Sequence, residues 1–220
     1  MPALPPVGND VVDLAAPGNL GKSGDCRFLG RVFTAEERAL IAGAARPDTL
    51  LWAFWTAKEA ACKAISRGDP TVCSIPRQYR VVLETGNAAG TAVRLAGKVI
   101  TPRGELVLRV ALEADWVHAL AAGSEAALDR ICRRVERLKG TRGNVNPSAF
   151  VRGELLREIA RRLCCPAGDL SVVKDPDGPG VPRVLFREDL LAAEVSLSHD
   201  GRFAAFAFDP ATLIPADCAG

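Results

Sequence analysis

The sequence has almost no excess of charge: 28 Lys and Arg against 26 Asp and Glu leave a formal net charge of +2. So small an imbalance argues against a nucleic-acid partner recognised by the chain as a whole, and any anion binding must come from local clusters. Two stretches are locally basic, "RICRRVERLKGTR" (130–142) and "RGELLREIARR" (152–162). The sequence also lacks any Cys-x-x-Cys spacing. Its seven cysteines, Cys26, Cys62, Cys73, Cys132, Cys164, Cys165 and Cys218, are an odd number. They read as a reduced set of small core residues, neither a disulfide framework nor a zinc site. No apolar run approaches the ~18 residues of a membrane span, and the N-terminus carries neither a charged leader nor a long apolar stretch. A soluble, cytoplasmic protein with no membrane partner is expected.

What is present is ordinary globular composition, 48% hydrophobic and 25% charged, in 220 residues. That length suits one medium domain or two small ones. "VGNDVVDL" (7–14) reads as a strand and 15–25 as a Gly- and Pro-containing loop. Thr34 followed by Glu37 is a capping-box signature for a helix. "DTLLWAFWTAKEAACKAISRG" (48–68) is the strongest helix, Ala-rich and closed by Gly68. Alternating strands follow in "YRVVLE", "TAVRLAG", "ELVLRVALE" and "WVHALAA". Two basic helices are predicted next, at about 124–138 and 147–163. The tail returns to strands in "LSVVKD", "PRVLF" and "EVSLSHDGRFAAFAF". Residues 81–97 and 170–186 are both strand, Gly-rich turn, strand, a faint repeat that suggests two similar α+β halves, 1–123 and 124–220.

Two chemistries compete near the N-terminus. "APGNLGKS" (16–23) fits a loose phosphate-loop pattern ending in Gly21-Lys22-Ser23, which would make a nucleotide hydrolase. However, Gly24 interrupts the helix such a loop must open, so a solvated lysine is the plainer reading. Asp10, near the end of the first strand, suggests a metal site instead. On the strong helix, Trp52, Trp55, Glu59 and Lys63 share one face at spacings of three, four and four. Alone, Glu59 and Lys63 would be a surface pair worth about 0.3–0.5 kcal/mol. With Asp10 and the late strand's Ser198-His199, they form a set of oxygen ligands and phosphate-handling cations suited to Mg²⁺. His118, without such company, reads as structural.

At these residues the sequence resembles the 4′-phosphopantetheinyl transferase superfamily. The pieces that carry the likeness are "VGNDVVDL", "RVFTAEE", "WTAKEAACKA" and "VSLSHDGRFAAFAF". The resemblance implies transfer of 4′-phosphopantetheine from coenzyme A to a serine of an acyl or peptidyl carrier protein, with Mg²⁺ as cofactor. It implies that Asp10 and Glu59 hold the metal, that Glu59 also helps to activate the nucleophile, and that Lys63 contacts the transferring phosphate. Ser198 and His199 match residues that touch the phosphates of coenzyme A. Three departures stand out. The D-x-E motif of the large members has Val12 in place of its acid. Asp13, where the small carrier-protein synthases place an acid, would face away from Asp10 in a regular strand, so a water is expected at that metal position. The G-K-P motif survives only as Gly180-Val181-Pro182, with Arg183 or Lys174 as candidate substitutes. These losses leave open a coenzyme A-binding module without transfer activity. The motif order is that of the small trimeric enzymes, yet the length suits a monomeric pseudo-dimer with its halves in permuted order.

Overall fold

A computed structural model describes residues 6–66, 69, 75–84, 87–89, 92–138, 146–174 and 180–215. Strand β1 (Val7–Asp13) opens the chain and is buried along its whole length, polar residues included, because other elements cover both of its faces. Two single 3₁₀ turns, Pro17–Asn19 and Lys22–Gly24, follow in the expected loop. The sequence reading does not anticipate α1 (Cys26–Val32). Its start is set by Asp25, whose carboxylate accepts from the Phe28 amide. Helix α2 (Ala35–Gly43) carries the expected capping box: Thr34 Oγ1 accepts from Glu37 N, and Glu37 Oε2 accepts from Thr34 N.

Helix α3 (Pro47–Ile65) begins with a proline at its first turn, where no amide partner is lost. Ala57, Ala60, Ala61 and Ala64 make its buried side small. The helix therefore sits hard against β1, and a Cβ added at Gly8 would lie 1.9 Å from the Ala60 carbonyl oxygen. Gly68 and the 139–142 part of the first basic stretch lie outside the described residues, as do Cys73 and Cys218.

Strands β2 (Arg80–Leu83), β3 (Asn87–Ala89), β4 (Ala92–Thr101), β5 (Gly104–Leu112) and β6 (Trp116–Ala122) complete the first sheet. Its order is β1-β6-β5-β4-β2, with β3 pairing β4. Every pairing is antiparallel.

The single basic helix expected over 124–138 is a correction. The chain instead forms a short helix, α4 (Glu125–Arg130), and then a strand, β7 (Cys132–Arg137). Arg and Glu favour helix in isolation, but this segment pairs antiparallel with a neighbouring strand, from Cys132 opposite Phe208 to Arg137 opposite Phe203. Backbone pairing, together with Arg134 and Arg137 lying over the Phe206 and Phe203 rings, outweighs the weak local preference.

Helix α5 (Pro147–Leu163) matches its predicted bounds. Strands β8 (Leu170–Lys174), β9 (Pro182–Phe186), β10 (Asp189–Ala192), β11 (Val195–Asp200), β12 (Phe203–Phe208) and β13 (Ile214–Pro215) follow. They form two sheets, β13-β10-β9-β8 and β11-β12-β7. The fold is thus α+β. No helix among the described residues is long and apolar enough to cross a membrane. One core gathers α3 against the first sheet, and another gathers α5 against β11 and β12.

The two cores meet where β11 runs alongside β1. The amides of Asn9, Val11 and Asp13 point away from β6, and side chains of β11 accept from them. Asn9 N donates to Ser196 Oγ at 2.9 Å, Val11 N to Ser198 Oγ at 3.1 Å and Asp13 N to Asp200 Oδ2 at 2.9 Å. Three side chains thus take the place that backbone carbonyls hold in a sheet, and satisfy donors whose burial would otherwise be costly.

Candidate active site

Alternation along β1 turns Gly8, Asp10 and Val12 toward α3 and Asn9, Val11 and Asp13 toward β11 and β12. The close approach at Gly8 brings Asp10 beside the last two turns of the helix. Lys63 Nζ donates to Asp10 Oδ1 at 2.8 Å, and also reaches the carbonyls of Asn9 at 3.2 Å and Leu197 at 3.4 Å. Ser198 Oγ donates to the same Asp10 Oδ1 at 2.7 Å. Both hydrogen bonds fall on Oδ1, and Oδ2 accepts none from the described residues. Glu59, one turn before Lys63, faces the same seam. Burial, then the negative charge of Asp10, raises the pKa of its carboxyl, with Lys63 opposing the shift.

These observations fit a divalent cation. Two carboxylates crowd together against a single ammonium, and one oxygen of Asp10 is uncommitted. Mg²⁺ commonly takes one or two carboxylates and fills its octahedron with water and substrate oxygens. Among the described residues no group of three or more His, Cys, Asp or Glu side chains stands together, so any metal here would lean on such additional ligands.

A pocket of about 240 Å³ opens beside Lys63, lined by Ser66, Gly180, Val181, Pro182, Ser196 and Leu197. The Gly-Val-Pro segment therefore does border the site, with Val181 where a lysine was sought. Lys174 and Arg183 lie on paired strands next to it but do not line it. Ser198 is spent on Asp10 and Val11, whereas its neighbour His199 is exposed.

Asp13 is placed away from Asp10, as its position in the strand predicts. It is buried and held by Arg202, whose Nη2 lies 2.6 Å from Oδ1 and whose Nε lies 2.8 Å from Oδ2. The backbone amide of Arg202 donates to the same Asp13 Oδ2. Asp13 thus anchors the β11–β12 turn.

The Gly21-Lys22-Ser23 segment has the amides of a phosphate cradle, but they hold the chain's own carboxylate. Gly21 N donates to Asp48 Oδ2 at 2.8 Å and Ser23 N to Asp48 Oδ1 at 2.7 Å. Lys22 pairs with Asp25 and lies over the Phe28 ring. This filled loop gives the hydrolase reading no support.

Trp52 and Trp55 pack with Phe28 as an aromatic cluster, and Trp52 Nε1 donates to the Asn19 carbonyl, so the indoles build the helix seat. His118 is buried, with Nε2 3.3 Å from Asn9 Oδ1, and burial lowers its pKa to about 3.

Sequence reasoning misses Ser196 and Asp200, although the alternation S-L-S-H-D in a strand shows three polar side chains on one face. It also misses Lys58, which is wholly buried beside Glu59. Lys58 Nζ meets Glu37 Oε2 at 2.8 Å, the Tyr79 carbonyl at 2.6 Å and the Pro76 carbonyl at 3.0 Å. It locks α3 to α2 and thereby fixes the direction in which Glu59 leaves the helix.

Comparison with known proteins finds a family match. A family model described as the 4′-phosphopantetheinyl transferase superfamily matches residues 6–121. A protein of Bradyrhizobium diazoefficiens named holo-[acyl-carrier-protein] synthase is 31% identical over 128 residues, covering 52% of this chain and 88% of that protein. A protein of the same name from Nitrobacter hamburgensis matches with the same identity and coverage. The matched span contains Asp10, Glu59 and Lys63, which the fold gathers at one seam. The chain belongs to the 4′-phosphopantetheinyl transferase superfamily.

Proposed function

We propose that the protein transfers 4′-phosphopantetheine from coenzyme A to a serine of an acyl or peptidyl carrier protein, using Mg²⁺ held by Asp10 and Glu59. The observation that carries this reading is the convergence of Asp10, Glu59 and Lys63 beside a pocket that both halves of the chain line. The name shared by the relatives points to the same reaction class. In this reading the serine oxygen forms a bond to the β-phosphorus of coenzyme A, and the bond from that phosphorus to the bridging oxygen breaks. Adenosine 3′,5′-bisphosphate leaves.

Glu59 accepts the serine proton, directly or through a water. Its raised pKa makes the ionised form a better base than an ordinary carboxylate. Lys63 is placed to hold the transferring phosphoryl oxygens, and Ser198 to orient Asp10. His199, exposed on β11 two residues beyond Leu197 of the pocket lining, is assigned to a coenzyme A phosphate. The bound cation would neutralise charge that builds on the pyrophosphate oxygens as the bond breaks.

The strand orders β1-β6-β5 and β7-β12-β11, each with a helix on one face, support a pseudo-dimer divided near residue 123. With both halves in one chain, a cytoplasmic monomer follows as part of the proposal. Mass spectrometry of apo carrier proteins incubated with the protein, coenzyme A and Mg²⁺ tests it. A gain of the phosphopantetheine mass on a serine is expected. Coenzyme A binding without any such gain would favour the second reading, a binding module, which the absence of a lysine at Val181 motivates.

A further inference from the structure

Strands β4, β5 and β6 carry a second concentration of charge on the sheet face opposite α3. Their register sets Arg94 beside Ala111 and Ala111 beside His118. In the next row it sets Ala96 beside Arg109 and Arg109 beside Leu120. Cross-strand partners share a face, so two arginines stand diagonally across a floor where two alanines leave room. Arg133 of β7 completes the lining of a cavity of about 340 Å³.

Two of the three guanidiniums are tied to carboxylates that do not line the cavity. Arg94 Nη2 is 2.7 Å from Glu113, and Arg109 Nη2 is 2.9 Å from Glu125 and 2.6 Å from Asp129. Arg133 forms no ion pair with any described residue, and the charges acting on it are those of Arg94 and Arg109. Desolvation against the sheet, then those two like charges, pushes its pKa down. His118 is buried in the cavity wall and neutral, so it adds no further positive charge there. Arg133 is exposed at the cavity rim, yet its guanidinium faces two like charges, and an anion joining the three would offset that repulsion. Three guanidiniums that line one cavity can offer paired N–H donors to a tetrahedral oxyanion.

We infer that the cavity bounded by Arg94, Arg109 and Arg133 is a binding site for a phosphate dianion, free or as a small monoester, separate from the Asp10 seam. Asp10 and Lys63 lie on the other face of the sheet, so the two sites do not share a pocket.

Thermal unfolding of the full chain at constant ionic strength, titrated with inorganic phosphate, glycerol phosphate or acetate, tests the inference. Phosphate should raise Tm saturably and acetate should not. Arg133→Gln should match or exceed the wild-type Tm without phosphate, because a like-charge contact is gone, while its phosphate midpoint weakens about tenfold or more. Lys63→Ala should keep the response. A stronger response to glycerol phosphate assigns the apolar floor to a monoester, and an equal one assigns the cavity to the free anion. In the wild type, phosphate should also shift the arginine Nε–H resonances of Arg94, Arg109 and Arg133 together, a reading that needs no variant. No response in the wild type, equal responses to acetate and phosphate, or a response lost in Lys63→Ala but kept in Arg133→Gln would overturn the inference.

Discussion

The hydroxyl of Ser198 donates to Asp10 Oδ1 at 2.7 Å while accepting from the amide of Val11 at 3.1 Å. One side chain near the C-terminal end therefore both supports the backbone of β1 and aims a carboxylate of that strand. Ser198→Ala should strand the Val11 amide and cost about 1–3 kcal/mol of stability. Under the proposed function it should also weaken Mg²⁺ activation, because Asp10 is freed to turn. Urea unfolding and a Mg²⁺ titration of transfer rate measure the two effects separately. An unchanged Mg²⁺ response would remove Ser198 from the positioning of Asp10.

Under the proposed function, Asp10→Asn and Glu59→Gln should nearly abolish transfer while leaving the fold intact, since each preserves shape and removes a charge that a bound metal would require. Glu59→Gln should also stabilise the metal-free protein near neutral pH. The native pKa of Glu59 lies above its unfolded value, so the contribution of this residue to native stability is greatest in acid and is lost as pH rises through that window. Lys22→Ala should keep activity within a few-fold. Rates that collapse for Lys22→Ala and hold for Glu59→Gln would reverse the assignment.

His118 carries the opposite sign. Its native pKa of about 3 lies below the ordinary 6.5, so below about pH 6.5 the unfolded state binds protons that the native state refuses. The fold should lose up to about 1.4 kcal/mol per pH unit from this residue as pH falls through that window. His118→Gln should therefore flatten the acid side of the stability profile in urea titrations. A parallel profile for both proteins would show that the ring is accessible to protons.

Gly8→Ala should be among the most damaging single substitutions on β1. The new methyl meets the Ala60 carbonyl and the Ala64 amide, both main-chain groups that cannot swing aside. Overpacking of this kind costs about 1–3 kcal/mol or more, and any relief must push α3 off the strand, taking Lys63 away from Asp10. Calorimetry and transfer rate should fall together. A variant of wild-type Tm would mean that the helix seat is looser than its contacts imply.

Much of this was legible in the residues themselves. Asp10, Glu59 and Lys63 could be named because the strand and helix carrying them have strong local signatures, and the capping box at Thr34 and Glu37 marked its helix correctly. The strand at 132–137 was not legible, because its Arg and Glu content suits a helix and the partner that makes it a strand lies some seventy residues downstream. Lys58 was hidden for a related reason. A lysine next to a glutamate reads as surface charge until Glu37 and two carbonyls are seen to surround it.

The three amides of β1 and the three side chains of β11 behave as a key with fixed pins. All three pairs keep the same separation along the chain, so the seam admits one alignment. A slip of one residue would offer Leu197 and His199 to amides that need an acceptor. A slip of two would swing the Asp200 carboxylate into the place of the Ser198 hydroxyl, against Asp10, where two negative charges would repel. Docking of β11 against β1 and the aiming of Asp10 are therefore a single event, and the seam cannot close without bringing Ser198 to Asp10.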